Sequence, residues 1–231
     1  QRLLWNNDNL LLENEILDSP IIYSTELEAG ISKPKLLRSA NGAWFIWKHE
    51  QESDWAINNQ SELATSVIDR QLNLQIVPYT FSFYFENKNG IRQFWIHNSE
   101  MAFLNFPKSV DMVSSAKIRL LDYFIFNRDR RSTNLLVDKT STFNKKIYAI
   151  DHGGAFYNRK LQNGNFEKRP PEEVLSFVGC RSVDELLPTI ELKEKIINLD
   201  PKMPFSGLEK YLSDFDISGI CDRVTWLQNR I

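Results

Sequence analysis

Cysteine, histidine and glycine are all scarce in this chain, and each shortage closes off a class of function. Its 231 residues include two cysteines, Cys180 and Cys221, and three histidines. Two cysteines cannot build a disulfide framework and neither stands at metal-motif spacing, so a reducing, cytoplasmic setting is the default expectation. There is no His/Cys cluster of the kind a zinc-type centre needs. No apolar run approaches the ~20 residues needed to span a bilayer, so no transmembrane segment is expected. No signal-like segment opens the chain, although it starts on Gln1, as it would if an N-terminal segment had been removed. An excess of one charge is missing too. The 28 Lys and Arg against 30 Asp and Glu leave a net −2, which argues against direct nucleic-acid binding. Internal repeats, low-complexity tracts and long linkers are also absent.

At 42% hydrophobic, a chain of this length buries a proper core, as one domain with two lobes or as two small domains. The pattern changes near Asn98. Before it, IIYST, KPKLLRS, AWFIWK, VPYTFSFYF and IRQFWIH read as strands, with one helix around residues 56–72. Asn41-Gly42 and Asn89-Gly90 are hairpin signals. After it the reading is mostly helical: SSAKIRLLDYFIF, capped by Ser114 or Ser115, then PEEVLSFV, SVDELLPTIELKEKIINL, GLEKYLSDF and DISGICDRVTWLQNRI. The expected class is α+β, with an antiparallel sheet and helix over 1–97 and a mostly helical portion over 98–231.

Two segments carry the chemistry. FNRDRRSTN, residues 126–134, puts Asp129 five residues before Asn134, and IDHGGAF, residues 150–156, puts Asp151 at the end of an apolar run. A hydroxyl nucleophile needs a carboxylate to orient it and take its proton, which suits Asp129. Magnesium prefers hard oxygen ligands and keeps several waters, so Asn134 and Asp151 would suffice beside the phosphates of a nucleotide. Either segment alone could be an ordinary polar loop or hairpin connection. Their order, and their separation by the strand-like LLV and KIYAI, favour phosphoryl transfer from ATP with Mg2+.

Asp129, Arg130 and Asn134, with Asp151, His152, Gly153, Ala155 and Phe156, resemble the catalytic and metal segments of the atypical kinases that group HipA, the type II phosphatidylinositol 4-kinases and the Fam20-type kinases. The bacterial HipA-like branch is the nearest in pattern, although its loop usually has a His where this chain has Arg131. The resemblance implies a two-lobed protein-kinase-like fold and transfer of the γ-phosphate to a hydroxyl, most simply Ser or Thr of a protein. It also admits a small antitoxin or other regulator as partner, and a secreted effector as well as a cytoplasmic enzyme. It implies no copy of the extra N-terminal subdomain of full-length HipA proteins.

The upstream half supplies nucleotide-binding candidates. Lys48 ends a strand where a kinase keeps its phosphate-binding lysine, and Glu62 opens the following helix, placed to hold that lysine extended; Glu50 and Glu52 compete for it. A solvated strand end and an ordinary helix charge are the plain alternatives. Only Gly30 precedes the first hairpin strand, so phosphate contacts fall to Ser32 and Lys33. Backbone groups from Trp95 through Ile96 and His97 to Asn98 stand where a hinge would read adenine, although aromatics in alternating strands are usually core. Asp122 either braces the catalytic loop or lies on a helix surface. Arg159, Lys160, Lys168 and Arg169 make residues 157–171 basic, which suits an acidic protein or phosphoinositide substrate as well as a solvated loop. A lipid or small-molecule kinase, an ATP-binding pseudokinase and a plain interaction domain are the competing readings.

Overall fold

The computed structural model describes residues 18–28, 33–49, 59–102, 112–140, 145–156, 159–160 and 166–231, with backbone only at 159–160 and 166–167. The chain divides into two compact units, residues 1–59 with 78–96 and residues 60–77 with 97–231.

The first unit is a five-stranded antiparallel sheet of β1 (Ile21–Glu26), β2 (Lys35–Ser39), β3 (Trp44–His49), β4 (Thr80–Phe85) and β5 (Lys88–Phe94), in the order β1-β2-β3-β5-β4. Alternation sets its core face. Leu37, Phe45 and Trp47 are fully buried, and Phe81, Phe83 and Phe85 pack against them at every second position of β4. The Arg92 guanidinium enters the same face and lies 4.4, 4.6 and 4.1 Å from the ring centres of Phe45, Phe81 and Phe83.

The first hairpin turns where expected, with Gly42 at φ +90°. The second does not turn at Asn89-Gly90. Phe85 faces Lys88, so the two-residue loop is Glu86-Asn87, both left-handed at φ 50° and 61°. Gly90 is instead a strand residue, facing His49 on one side and Phe83 on the other. A Cβ there would stand 2.7 Å from Trp47 Nε1 and 3.1 Å from the His49 Cα, so this glycine serves close strand approach.

The second unit begins with helix α1 (Asn59–Gln71), which buries Ala64, Ile68 and Leu72. The chain then folds back: Asp69 Oδ1 accepts the backbone N–H groups of Ile76 (3.0 Å) and Val77 (3.3 Å). Helix α2 (Met112–Ile125) is buried along most of its length. It runs from Met112, so Ser114 lies inside it, buried, and does not cap it. A three-stranded sheet of β6 (Ser99–Met101), β7 (Leu135–Asp138) and β8 (Ile147–Ala149) follows in sequence order, and the Ala149 N–H donates to the Ile76 carbonyl at 2.8 Å. A short pair, β9 (Arg159–Lys160) with β10 (Phe166–Glu167), precedes α3 (Pro171–Phe177), α4 (Val183–Leu186), α5 (Ile190–Ile197) and α6 (Asp214–Gln228). GLEKYLSDF forms only a single 3-10 turn, Leu208–Lys210, before Ser213 caps α6 by accepting the Asp216 N–H. These helices close one core around Leu120, Phe124, Val174, Ile196 and Val224. Among the described residues no helix is long and apolar enough to cross a membrane.

Candidate active site

The second unit assembles the two chemical segments around one arginine. Helix α2 ends at Ile125 and carries Asp122, 4% exposed, on its buried side. Arg130 meets that carboxylate in a fork, Nε to Oδ2 and Nη2 to Oδ1, both at 2.9 Å. Its remaining nitrogen, Nη1, donates to the carbonyl of Asn134 at 3.0 Å and to that of Ile150 at 2.9 Å. One guanidinium therefore joins the helix, the end of the catalytic-type loop and the residue before Asp151. Asp122 is a brace, acting through Arg130 rather than by accepting backbone groups. The Ile150 N–H closes the arrangement by donating to the Asn134 carbonyl at 3.0 Å.

Within the loop, Asn127 Oδ1 accepts the Asp129 N–H at 3.0 Å, a local turn of the kind asparagine favours. Asn134 Nδ2 donates to the Asp129 carbonyl at 2.8 Å. That bond fixes the amide plane, and Oδ1 accepts from the Thr133 hydroxyl at 3.5 Å. The Asp129 carboxylate is partly exposed and ion-paired with Arg131 at 2.6 Å. Arg131, standing where the resembled loops have His, thus contacts the proposed base directly.

Asp151 takes the left-handed conformation at φ 57°, which turns the chain sharply out of β8. A Cβ added to Gly154 would stand 3.3 Å from the Asp129 Cβ, so the two segments touch. His152 points the other way, fully buried, with Nδ1 3.3 Å from Glu62 Oε2 on α1. Burial lowers the imidazole pKa more than Glu62 raises it, favouring the neutral form of His152. Phe156, also left-handed, donates its N–H to the Ile125 carbonyl at 2.6 Å.

A magnesium-type ion suits this donor set. An amide oxygen and one carboxylate are hard ligands that would leave coordination positions for phosphate and water. Among the described residues no three His, Cys, Asp or Glu side chains come together, so the set is no closed all-protein cage.

The nucleotide candidates divide between the units. In the first, Lys48 is buried on β3 opposite Ile91, Lys33 is exposed at φ 43°, and Trp95, 40% exposed, donates its N–H to the Trp44 carbonyl at 2.9 Å. Ile96 ends that unit and is half-buried. In the second, Glu62 is fully buried, His97 is exposed, and Asn98 gives its carbonyl to the Lys139 N–H at 2.8 Å. Ser32, like Gly30, Glu50 and Glu52, lies outside the described residues. In the basic stretch, Lys168 pairs with Asp222 at 2.9 Å and Arg169 with Glu173 at 2.9 Å, so both charges are locally matched.

Sequence reasoning had no role for Arg130 beyond membership of the motif, nor for His152. The signal for the first was present: Asp122 lies on the face of α2 that also buries Ile118 and Ile125, where a lone carboxylate requires a partner.

An antiparallel sheet unit and a mostly helical unit holding these two loops define a kinase-like α+β fold. Residues 4–214 match the family model for phosphatidylinositol 3- and 4-kinases, and the chain belongs to that family. Two solved structures share its fold at low identity. A Golgi casein kinase with Mn and ADP bound is 15% identical, with a TM-score of 0.56 over 98% of this chain and 74% of that one. The Helicobacter pylori proinflammatory kinase CtkA is 13% identical, with a TM-score of 0.50 over 94% of each chain. Both lie among the atypical kinases. No curated protein sequence matches significantly.

Proposed function

We propose that this chain is an ATP- and Mg2+-dependent kinase that transfers the γ-phosphate to a Ser or Thr hydroxyl of a protein, in the manner of HipA-like enzymes. The observation that carries the reading is the Arg130 lock. Phosphoryl transfer is mostly positioning and charge stabilisation, and one partly buried guanidinium fixing both Asn134 and the entry to Asp151 supplies positioning. Asp129 orients the acceptor hydroxyl and takes its proton. Asn134 and Asp151 hold the metal, which when bound offsets charge on the phosphates. Lys48 clamps the α and β phosphates, with Glu62 as its partner in that state, and Ser32 and Lys33 cover the phosphates. The backbone from Trp95 to Asn98 reads the base. On this reading the ATP-binding lobe runs to residue 97 and includes α1, and the enzyme works in the cytoplasm, where both free cysteines stay reduced.

A phosphoinositide acceptor is the second reading, favoured by the family match over residues 4–214. Label from γ-32P-ATP with Mg2+ separates the two, offered in parallel to a mixture of generic proteins and to phosphatidylinositol vesicles. Label in protein supports the first, and label confined to lipid replaces it with the second. Nucleotide binding with no transfer to either identifies a pseudokinase.

A further inference from the structure

The residues after Asp151 make a tight turn that the helical unit fastens from several sides. The Ala155 N–H closes it by donating to the His152 carbonyl at 3.0 Å. The first turn of α1 holds one side: the Ser61 hydroxyl donates to the Ala155 carbonyl at 3.4 Å, and Glu62 Oε2 lies 3.3 Å from His152 Nδ1. The Phe156 N–H ties the exit of the turn to the last residue of α2, Ile125. Of these contacts the one between His152 and Glu62 is sealed from solvent on both sides. Helix α1 is a firm anchor for it, because its far end is tied down too. Gln71 exchanges two hydrogen bonds with Ser206, at 2.8 and 3.0 Å, and Lys195 Nζ donates to the Leu72 carbonyl at 2.9 Å.

The unequal surroundings of the two ring nitrogens choose the tautomer. Nδ1 faces a carboxylate oxygen, whereas Nε2 is buried with no hydrogen-bond partner among the described residues. A proton on Nε2 would strand a buried N–H donor and set the Nδ1 lone pair against the Glu62 oxygen; a proton on Nδ1 gives that oxygen its donor. We propose that His152 is a positioning residue: as the Nδ1–H tautomer it donates to Glu62 and so holds the backbone at Asp151 against α1. This rests on the reading of Asp151 as a metal ligand. Asp151 stands at φ 57°, a conformation that a residue with a side chain keeps only where its surroundings enforce it, and a buried, hydrogen-bonded ring on the next residue supplies that enforcement. Groups that orient a metal ligand act on metal affinity, so His152 should matter for the metal and little for the nucleotide alone.

Two measurements on the full chain test the role. Ring-nitrogen NMR, with the His152 signal told from those of His49 and His97 by its loss in His152→Asn, should place the proton on Nδ1. A proton on Nε2 overturns the proposal, and this arm stands whether or not a bulkier variant folds. The second is Mn2+ binding with ADP present, read from the paramagnetic resonance of the free ion. His152→Leu keeps the bulk and removes the donor; it should weaken Mn2+ by about tenfold or more while metal-free ADP affinity stays within about twofold. His152→Asn carries an amide nitrogen where Nδ1 stands and should hold Mn2+ within about threefold of the native chain. Unchanged Mn2+ affinity in His152→Leu, equal loss in the Asn and Leu variants, or Mn2+ and ADP affinity falling together would each make His152 an ordinary core side chain and overturn the proposal. A native chain that binds ADP but no Mn2+ refutes Asp151 as a metal ligand and the positioning role with it, and the tautomer then reports on the fold alone.

Discussion

Arg92 in the sheet unit is fully buried and Arg130 in the helical unit partly so, and opposite chemistry holds them. Arg92 is fully buried beneath three phenylalanine rings, 4.1–4.6 Å from their centres, and burial pushes its pKa down to about 10. Arg130 is instead held by oxygens: two from Asp122 and the carbonyls of Asn134 and Ile150. The first contributes bulk and a cation–π face to a sheet core. The second contributes directional bonds to three points of the chain, for which no apolar side chain substitutes. One arginine packs against rings and the other ties loop segments together.

Replacing each arginine breaks this contrast most severely. Arg130→Ala leaves the Asp122 carboxylate buried without its partner and should cost about 3–5 kcal/mol in denaturant unfolding. Phosphotransfer should fall by about a hundredfold or more, because the loop and Asp151 lose their common anchor. In a double-mutant cycle with Asp122→Ala the two changes should be coupled by about 2 kcal/mol. Arg92→Ala should cost about 3 kcal/mol through the cavity it leaves, but Arg92→Met less than about 1.5 kcal/mol. An Arg130→Met variant as mild as Arg92→Met would erase the distinction.

A smaller effect concerns Asp69, which anchors the segment after α1. Burial raises its pKa from 3.8 to about 7, outweighing the two backbone N–H groups it accepts. The native state therefore keeps a proton that the unfolded chain releases, so this group's contribution to stability falls as pH rises from about 4 to about 7. The slope should reach about 1.4 kcal/mol per pH unit. Asp69→Asn retains the Oδ1 acceptor and should flatten that slope in urea titrations at stepped pH; an unchanged slope would assign it elsewhere. The smallest effect is Arg131→Ala. An exposed ion pair contributes little, so stability should shift by less than about 0.5 kcal/mol. The rate of transfer should nevertheless rise as Asp129 loses its competitor. A lower rate would make Arg131 a helper of Asp129.

Much of the site was legible in the sequence because its spacing is local. Asp129 and Asn134 lie in one loop, Asp151 follows a short strand, and the backbone bonds that join them span few residues. The sheet order was not legible, and the second hairpin was misplaced. Asn89-Gly90 satisfies the local rule for a turn, but alternation of Phe81, Phe83 and Phe85 onto the core face sets the register, and tight packing against β3 claims Gly90. The partnership of His152 with Glu62 joins residues 90 apart and left no local signal.

The central claim is that Asp129, Asn134 and Asp151 perform phosphoryl transfer. The most direct measurement is label incorporation from γ-32P-ATP with Mg2+, comparing the native chain with folded Asp129→Ala and Asp151→Ala variants at matched nucleotide saturation. Transfer by the native chain that disappears in both variants is the predicted result. Transfer that persists in either one would contradict the assignment.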